Sequence, residues 1–376
     1  MVLSNEPSQA LLAELHNLQA DLIKACNLIE ESSEAEKSYL NRQALISNIG
    51  SSTRIENAVL TDNQIEWINT QLKEDAKPTA FEEKKSFILD KLSKDRERSL
   101  EEVIGCKEIL EVVFQQFHEF HPLTETIVRG LHHKLLQHYP KAQHFAGQYK
   151  SSENKVVSHN HDTGENKTVL EPASPGTITE TAMAELVRWY NLHIKEYPWT
   201  ILLSTEFVFR FLAIHPFQDG NGRLGRALFL LSLLQSPNKY IATVIGYISI
   251  DRQIEKNKSQ YYQVLQQSSS GKFYADPKQY NLDSLHWFFI KIIKSAIADV
   301  YFYHAKYHKL QKLSESATTV LNSFKNNPKP KLKISDLEQD LDLPRRTIQR
   351  SLKTLTDKAF IQKLGAGSDT KYQLVF

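Results

Sequence analysis

One twelve-residue stretch, His215-Pro-Phe-Gln-Asp-Gly-Asn-Gly-Arg-Leu-Gly-Arg226, gathers an imidazole, a carboxylate, three glycines, an asparagine and two arginines. Apolar segments flank it, Ile201 to Ile214 before and Ala227 to Leu234 after. These are the parts of a phosphate site with a base beside it. Backbone N–H groups of Gly220, Asn221 and Gly222 can turn inward as an anion-binding nest where bulky side chains are absent. A helix starting here points its unpaired N–H groups and positive end at the same place. Arg223 and Arg226, three apart, both project near its first turn. Asp219 suits Mg²⁺, which takes few protein carboxylates. His215, with an unperturbed pKa near neutrality, suits a general base.

Each part has a plainer reading. A His-Pro pair often ends a helix, and a Gly-rich turn with arginines can be a solvated connector. A calcium loop starting at Asp219 needs a carboxylate twelve positions in, where Leu230 stands. The ordered set, rather than any member, carries the chemistry.

The stretch resembles the signature of the Fic family, His-Pro-Phe-x-(Asp/Glu)-Gly-Asn-Gly-Arg-x-x-Arg, and matches it at every specified position. The resemblance spans roughly residues 40 to 300. It implies a mainly α fold, a helical core with a β-hairpin flap. The activity implied is transfer of AMP from ATP, with Mg²⁺, to a Ser, Thr or Tyr hydroxyl of a target protein, self-modification included. His215 would be the general base and Asp219 the Mg²⁺ ligand. Gly220, Asn221 and Gly222 would cradle the α- and β-phosphates, with Arg223 and Arg226 on the outer ones. The phosphate-binding set then runs unbroken to Arg226, Leu224 and Gly225 included. Phe217 would be a core anchor under the loop.

A second segment, Ser51-Ser52-Thr53-Arg54-Ile55-Glu56-Asn57, matches the (Ser/Thr)-x-x-x-Glu-(Gly/Asn) inhibitory motif of one Fic class. By spacing alone, Ser52 and Glu56 share a helical face and Asn57 ends the run. The resemblance implies that Glu56 pairs with Arg226, so that ATP binds non-productively. In related proteins this glutamate also orients water for removal of AMP. The direction that dominates is open.

Two further segments resemble parts of the family. Lys155 to Ser158 and Thr168 to Leu170, around a polar turn, read as a hairpin. With Gly147 and the Pro172 to Pro175 segment they resemble the flap that pairs with the target's backbone. His159 and His161, two apart, invite a metal reading, but no clustered ligand supports it and a solvated loop is the simpler one. Tyr262 and Leu265 share a helical face; the resemblance implies that they line the adenine pocket, with Ser269 where the family often has Asn.

The elements that must hold these parts are helical. Leu11, Leu12, Leu15, Leu18 and Leu22 recur at helical spacing. Lys73 to Glu102 carries alternating charges and reads as helices with solvated faces. Trp287-Phe-Phe-Ile290 begins another apolar helix assigned to the core. Three parts are expected: a helical region over 1–105 bearing the inhibitory motif, the catalytic core over 106–310, and a small domain over 311–376.

The small domain follows from composition. Two prolines in Asn326-Asn-Pro-Lys-Pro-Lys331 stop a helix. Ser335-Asp-Leu-Glu338 reads as a capping box, Pro344 suits a first turn, and Ile348, Leu352 and Leu355 form a buried stripe. Phe360 to Leu364 and Thr370 to Phe376 read as a hairpin. That order is a winged helix-turn-helix. Lys325 to Phe376 holds eleven Lys/Arg and six Asp/Glu, whereas the whole chain nets only +2, so the basic character is concentrated here. Arg345, Arg346 and Arg350 are the candidate DNA contacts. Docking of a protein, or a dimer contact, is the competing use.

Composition bounds the setting. With 41% hydrophobic residues and no window of membrane-span length, the chain reads as a soluble globular protein with no membrane partner. Met1 to Ala10 lacks a signal pattern. Cys26 and Cys106, without metal spacing, fit a reducing cytoplasm. The reading is an autoinhibited protein adenylyltransferase. A nucleotide-sensing DNA-binding regulator is the alternative from another class, and transfer of a different phosphate-containing group is a third. The intact His215 favours an enzyme. Target, acceptor and oligomeric state, a homodimer among the options, are beyond one sequence.

Overall fold

The chain is described by a computed structural model covering residues 2–73, 80–159 and 166–375. It is mainly α, as expected: sixteen α-helices and two short hairpins among the described residues. Five helices come first, α1 (Gln9–Glu31), α2 (Glu34–Ile55), α3 (Asp62–Lys73), α4 (Ala80–Leu92) and α5 (Glu97–Gln116). Ser8 and Ser33 start α1 and α2 by accepting from Leu11 N and Glu36 N, satisfying N–H groups that have no partner inside the helix. The expected stripe of α1 is buried at Leu11, Leu15, Leu18 and Leu22.

Next come α6 (Glu125–Leu136), the hairpin β1 (Val156–His159) and β2 (Asn166–Leu170), and α7 (Thr177–His193). The strands pair antiparallel, Val157 opposite Thr168. His159 ends β1; His161, with the rest of the turn, lies outside the described residues. At the centre stand α8 (Thr200–Ile214) and α9 (Asn221–Leu234). Both are buried nearly all round, so apolar residues recur on most faces, and even Glu206 of α8 and Arg223 and Arg226 of α9 are enclosed. Around them pack α10 (Lys239–Ile245), α11 (Ile250–Lys256), α12 (Lys258–Ser269) and α13 (Asp283–Leu310).

One hydrophobic core runs from Leu3 to Tyr303. The expected division at 105/106 has no structural counterpart: α5 passes through it unbroken, and α1 and α2 pack on α10, α11 and α13. The N-terminal helices complete the core rather than precede it. Two other expectations are corrected. Glu101 and Glu102, in the charged run given solvated faces, are buried, paired with Lys85 and Arg98. Trp287, assigned to the core, is 37% exposed, while Phe288, Phe289 and Ile290 are buried.

A second, separate apolar cluster holds α14 (Glu315–Lys325), α15 (Ile334–Asp340), α16 (Arg345–Asp357) and the antiparallel pair β3 (Ile361–Leu364) and β4 (Lys371–Leu374). Ile348, Leu352 and Leu355 face it as expected. The capping box is displaced: Ser335 lies inside α15, and it is Asp336 that accepts from Lys333 N at 2.7 Å. Glu338 pairs instead with Arg345. Arg345, Arg346 and Arg350 are exposed on α16.

Among the described residues, no helix is long and apolar enough to cross a membrane.

Candidate active site

The turn from α8 to α9 is built by its own side chains. His215 closes α8 in the left-handed conformation, φ 50°, and Gly220 opens α9 at φ 79°. A Cβ at Gly220 would also lie 3.1 Å from Leu135 Cδ2, so both backbone and space call for glycine. The buried Asn221 side chain spans the turn: its Nδ2 donates to Phe217 O at 2.7 Å, and its Oδ1 accepts from Phe217 N at 3.0 Å. Phe217 is fully buried and stacks on His132, ring centroids 3.7 Å apart.

His132 on α6 fixes the turn from below. Its Nδ1 accepts from Gly147 N at 2.8 Å, so Nε2 carries the proton and donates to Asp219 O at 2.9 Å. Burial pushes its pKa down to about 4, so the ring is neutral when it makes both bonds.

A cleft of about 320 Å³ opens above this turn. His215, Asp219, Gly220, Asn221, Gly222, Arg223 and Arg226 all line it, joined by Glu56, Tyr262, Leu265 and Ser269. Thus segments more than 150 residues apart in sequence share one cavity. Leu224 and Gly225, included in the phosphate-binding run, do not reach it. Leu224 N donates to Gly220 O inside the helix and its side chain is buried. A Cβ at Gly225 would meet Leu212 of α8 at 3.0 Å. Helical rotation turns these two away from the cleft, Gly225 against α8, and keeps Gly222, Arg223 and Arg226 on it.

His215 is half-buried. Enclosure by protein pushes its pKa down to about 4; nearby Lys150 adds to this, and the contact of Nδ1 with Leu212 O opposes it. The ring is therefore neutral at physiological pH. Lys150 is buried beneath the loop, donating to Asn154 Oδ1 and Ile214 O; burial pushes its pKa down to about 8.

Arg223 is 3% exposed. One nitrogen reaches Asp219 Oδ1 at 3.3 Å and another lies 3.8 Å from Glu102 Oε1, yet its Nε and Nη1 have no hydrogen-bond partner. A buried cation lining the cleft favours an incoming anion by its charge. Asp219, 39% exposed, is the carboxylate available to a cation there.

Arg226 is already held by α2. Its Nε donates to Ser52 Oγ at 2.9 Å, and its Nη2 donates to Ser52 O at 2.8 Å and Glu56 Oε1 at 3.0 Å. Glu56 caps the C-terminus of α2, and Asn57 turns the chain away at φ 70°. A Cβ on Gly222 would sit 2.3 Å from Glu56 Oε1. The carboxylate therefore lies against the first turn of α9, where the helix N-terminus favours negative charge. The end of α2 is fixed by Arg54, 2.7 Å from both Glu255 Oε1 and Asp62 Oδ1, and by Asn48, which bonds the backbone of Ile248 and Asp251.

Apolar walls complete the cleft. Val156, Val169 and Leu170 of the hairpin face Tyr262 and Leu265 of α12. The flap is tied down where Glu171 exchanges backbone hydrogen bonds with Gly271 and Phe273. Sequence reasoning did not find His132, Lys150, Asn48 or the burial of Glu102 under an exposed Arg98. His132 sits beside His133 on an amphipathic helix, and Arg98 and Glu102 look like any surface pair four apart. Arg98 and Glu102 lay in the charged run Lys73 to Glu102, read as solvated, and Lys150 lies three positions after Gly147.

Residues 122–233 match the Fic/DOC family. No curated protein matches the chain. Among solved structures, a Fic family protein from Desulfovibrio desulfuricans G20 aligns with 99% of this chain and 98% of its own, at 19% identity and TM-score 0.55. A Fic domain containing signaling protein from Bacteroides thetaiotaomicron VPI-5482 aligns with 76% of this chain and 97% of its own, at 23% identity and TM-score 0.55. A Fic-1 fragment from C. elegans aligns with 77% of this chain and 72% of its own, at 14% identity and TM-score 0.52. At these identities the likeness is one of fold.

Proposed function

We propose, on the premise that residues 122–233 match the Fic/DOC family, that the protein is an autoinhibited adenylyltransferase that moves AMP from ATP to a hydroxyl of a protein, releasing pyrophosphate. The observation that carries this reading is the seat of the Glu56 carboxylate. It lies against the α9 N-terminus and on Arg226, where a phosphate would otherwise be bound.

The residues divide the work. Neutral His215 takes the proton of the acceptor hydroxyl. Backbone N–H groups at the start of α9 and the positive charge of Arg223 stabilise charge spreading over the phosphate oxygens. Asp219 would hold Mg²⁺, which when bound neutralises phosphate charge and orients the polyphosphate. Tyr262 and Leu265, against the flap valines, offer an apolar slot for the base. Asn221 acts through its side chain on the loop, so its contribution to phosphate binding comes from the backbone alone.

Glu56 gives the reading its regulation. A carboxylate competes for a guanidinium with the same bidentate geometry as phosphate. While it holds Arg226, the outer phosphates lack their partner and the basal rate is low. The same carboxylate, 32% exposed, is also available to orient water for removal of AMP.

The C-terminal unit supports a second element of the proposal, a winged helix. Its order of three helices and a hairpin, with Leu332 bridging Tyr372, fits that type. The exposed arginines of α16 fit a DNA backbone or an acidic protein face.

Intact-mass spectrometry of Glu56→Gly with ATP and Mg²⁺ tests the whole reading. Gain of one AMP unit on the chain or on an added target is expected, and the double change Glu56→Gly with His215→Ala should show none. Equal labelling in both would overturn the assignment of the base.

A further inference from the structure

Away from the cleft, three side chains able to bind a metal meet between α2 and α13. His304 and His308 lie one helical turn apart on α13, the spacing that aims two imidazoles at one ion. Glu36 of α2 faces them. One ligand atom from each lies within 4.8 Å of the others. Glu36 Oε1 is 2.6 Å from His304 Nδ1 and 3.6 Å from His308 Nε2.

The short approach is not a hydrogen bond. Glu36 is 5% exposed, and both its Oε1 and His304 Nδ1 are fully enclosed atoms that meet no partner with hydrogen-bond geometry. Such a pair is costly unless something satisfies both atoms. A lone pair from each, with the outer imidazole beside them, converges on a common point.

We propose that Glu36, His304 and His308 bind one Zn²⁺ ion, leaving a fourth position for water. Two neutral imidazoles and a carboxylate are donors that zinc accepts, whereas Mg²⁺ and Ca²⁺ select oxygen. Tetrahedral bonds of about 2.0–2.1 Å set ligand atoms about 3.3 Å apart. Glu36 Oε1 therefore retreats from His304 by under an ångström, within reach of one side-chain torsion. His304 and His308 are 31% and 53% exposed, which gives the ion a way in. The ion joins α2 to α13. Since α2 ends at Ser52 and Glu56, zinc steadies the helix that carries the inhibitory carboxylate, a consequence that rests on the reading of Glu56 given above.

The test is metal uptake by the full chain after chelator treatment, followed by calorimetry with ZnCl₂ and by the visible spectrum with Co²⁺. Wild type and Asp219→Ala should each take up one ion, with a tetrahedral cobalt spectrum and a zinc-dependent rise in melting temperature. The double variant His304→Ala/His308→Ala, altered at partly exposed positions, should lose the ion and the rise. Glu36→Gln should bind at least ten-fold more weakly while melting like wild type in chelator. Uptake unchanged by the double variant, or none by wild type, overturns the proposal. Uptake that disappears with Asp219 instead puts the ion in the cleft, which also overturns it. None of these readouts measures AMP transfer, so the nucleotide reading stands or falls separately.

Discussion

Glu56 and Arg226, 170 positions apart in the chain, meet at 3.0 Å with the arginine 3% exposed and the glutamate 32%. The pair is asymmetric: Arg226 keeps both Ser52 bonds if Glu56 leaves, so the contact can open without stranding a buried cation. A hydrogen bond between charged groups contributes about 1.5–3 kcal/mol. Glu56→Gly should therefore raise the rate of AMP transfer by about ten-fold or more, measured with α-labelled ATP. An unchanged rate would remove the clasp from the account.

His215→Ala should lower transfer by about 10²–10⁴-fold, the usual share of a positioned base, while leaving the melting temperature near that of wild type. The wild-type pH profile carries a second check. With its pKa held at about 4, His215 is deprotonated from neutral pH down to about pH 5. The acid limb of kcat/KM should fall near pH 4 to 5. A limb centred near the ordinary histidine value would contradict the enclosure of the ring.

Acid should also unfold the protein early. His132, His215 and His286 each have a pKa lowered to about 4 by burial, below the ordinary histidine value of 6.5. Between those values the unfolded chain binds more protons than the native one, so stability is lost as pH falls from about 6.5 toward 4. Asp251, raised by burial to about 6, acts in the opposite sense over much of that range, as do Asp62, Asp299 and His138, whereas His121 and Glu108, both lowered, act with the three imidazoles. Melting temperatures measured at pH 7 and pH 5 should drop with acid. A rise would show that the buried imidazoles do not dominate.

Asn221→Ala removes both bonds to the Phe217 backbone. Asn154 Nδ2 still donates to Phe217 O, at 2.9 Å, so the group left unpaired is the Phe217 N–H. One buried unsatisfied donor costs about 1–3 kcal/mol. Denaturant unfolding should show a loss of that size, with nucleotide affinity falling as the loop loosens. Full stability would mean that the loop is held elsewhere.

If α16 contacts DNA, Arg346→Ala/Arg350→Ala should weaken gel-shift retention more than Arg345→Ala, because Arg345 is already bound to Glu338 at 2.7 Å. Retention should fall steeply between two salt concentrations. No retention at low salt would discard the DNA reading and leave protein docking.

Much of the site was legible because its chemistry is local. His215 to Arg226 are contiguous, and a turn between two apolar helices can place an imidazole, a nest and two arginines together without help from elsewhere. Burial stripes such as Leu11 to Leu22 and Ile348 to Leu355 were equally readable, since helical period depends on neighbours in sequence. Tertiary structure decided what depends on rotation and distance. It turned Leu224 and Gly225 away from the cleft, gave Asn221 to the loop's own backbone, buried Glu102 beside Arg223 and set His132 beneath Phe217. It ran α5 through an expected boundary, because helices far apart in the chain share one core. Local pattern tells which residues share a face, but what that face meets is fixed only when distant segments pack.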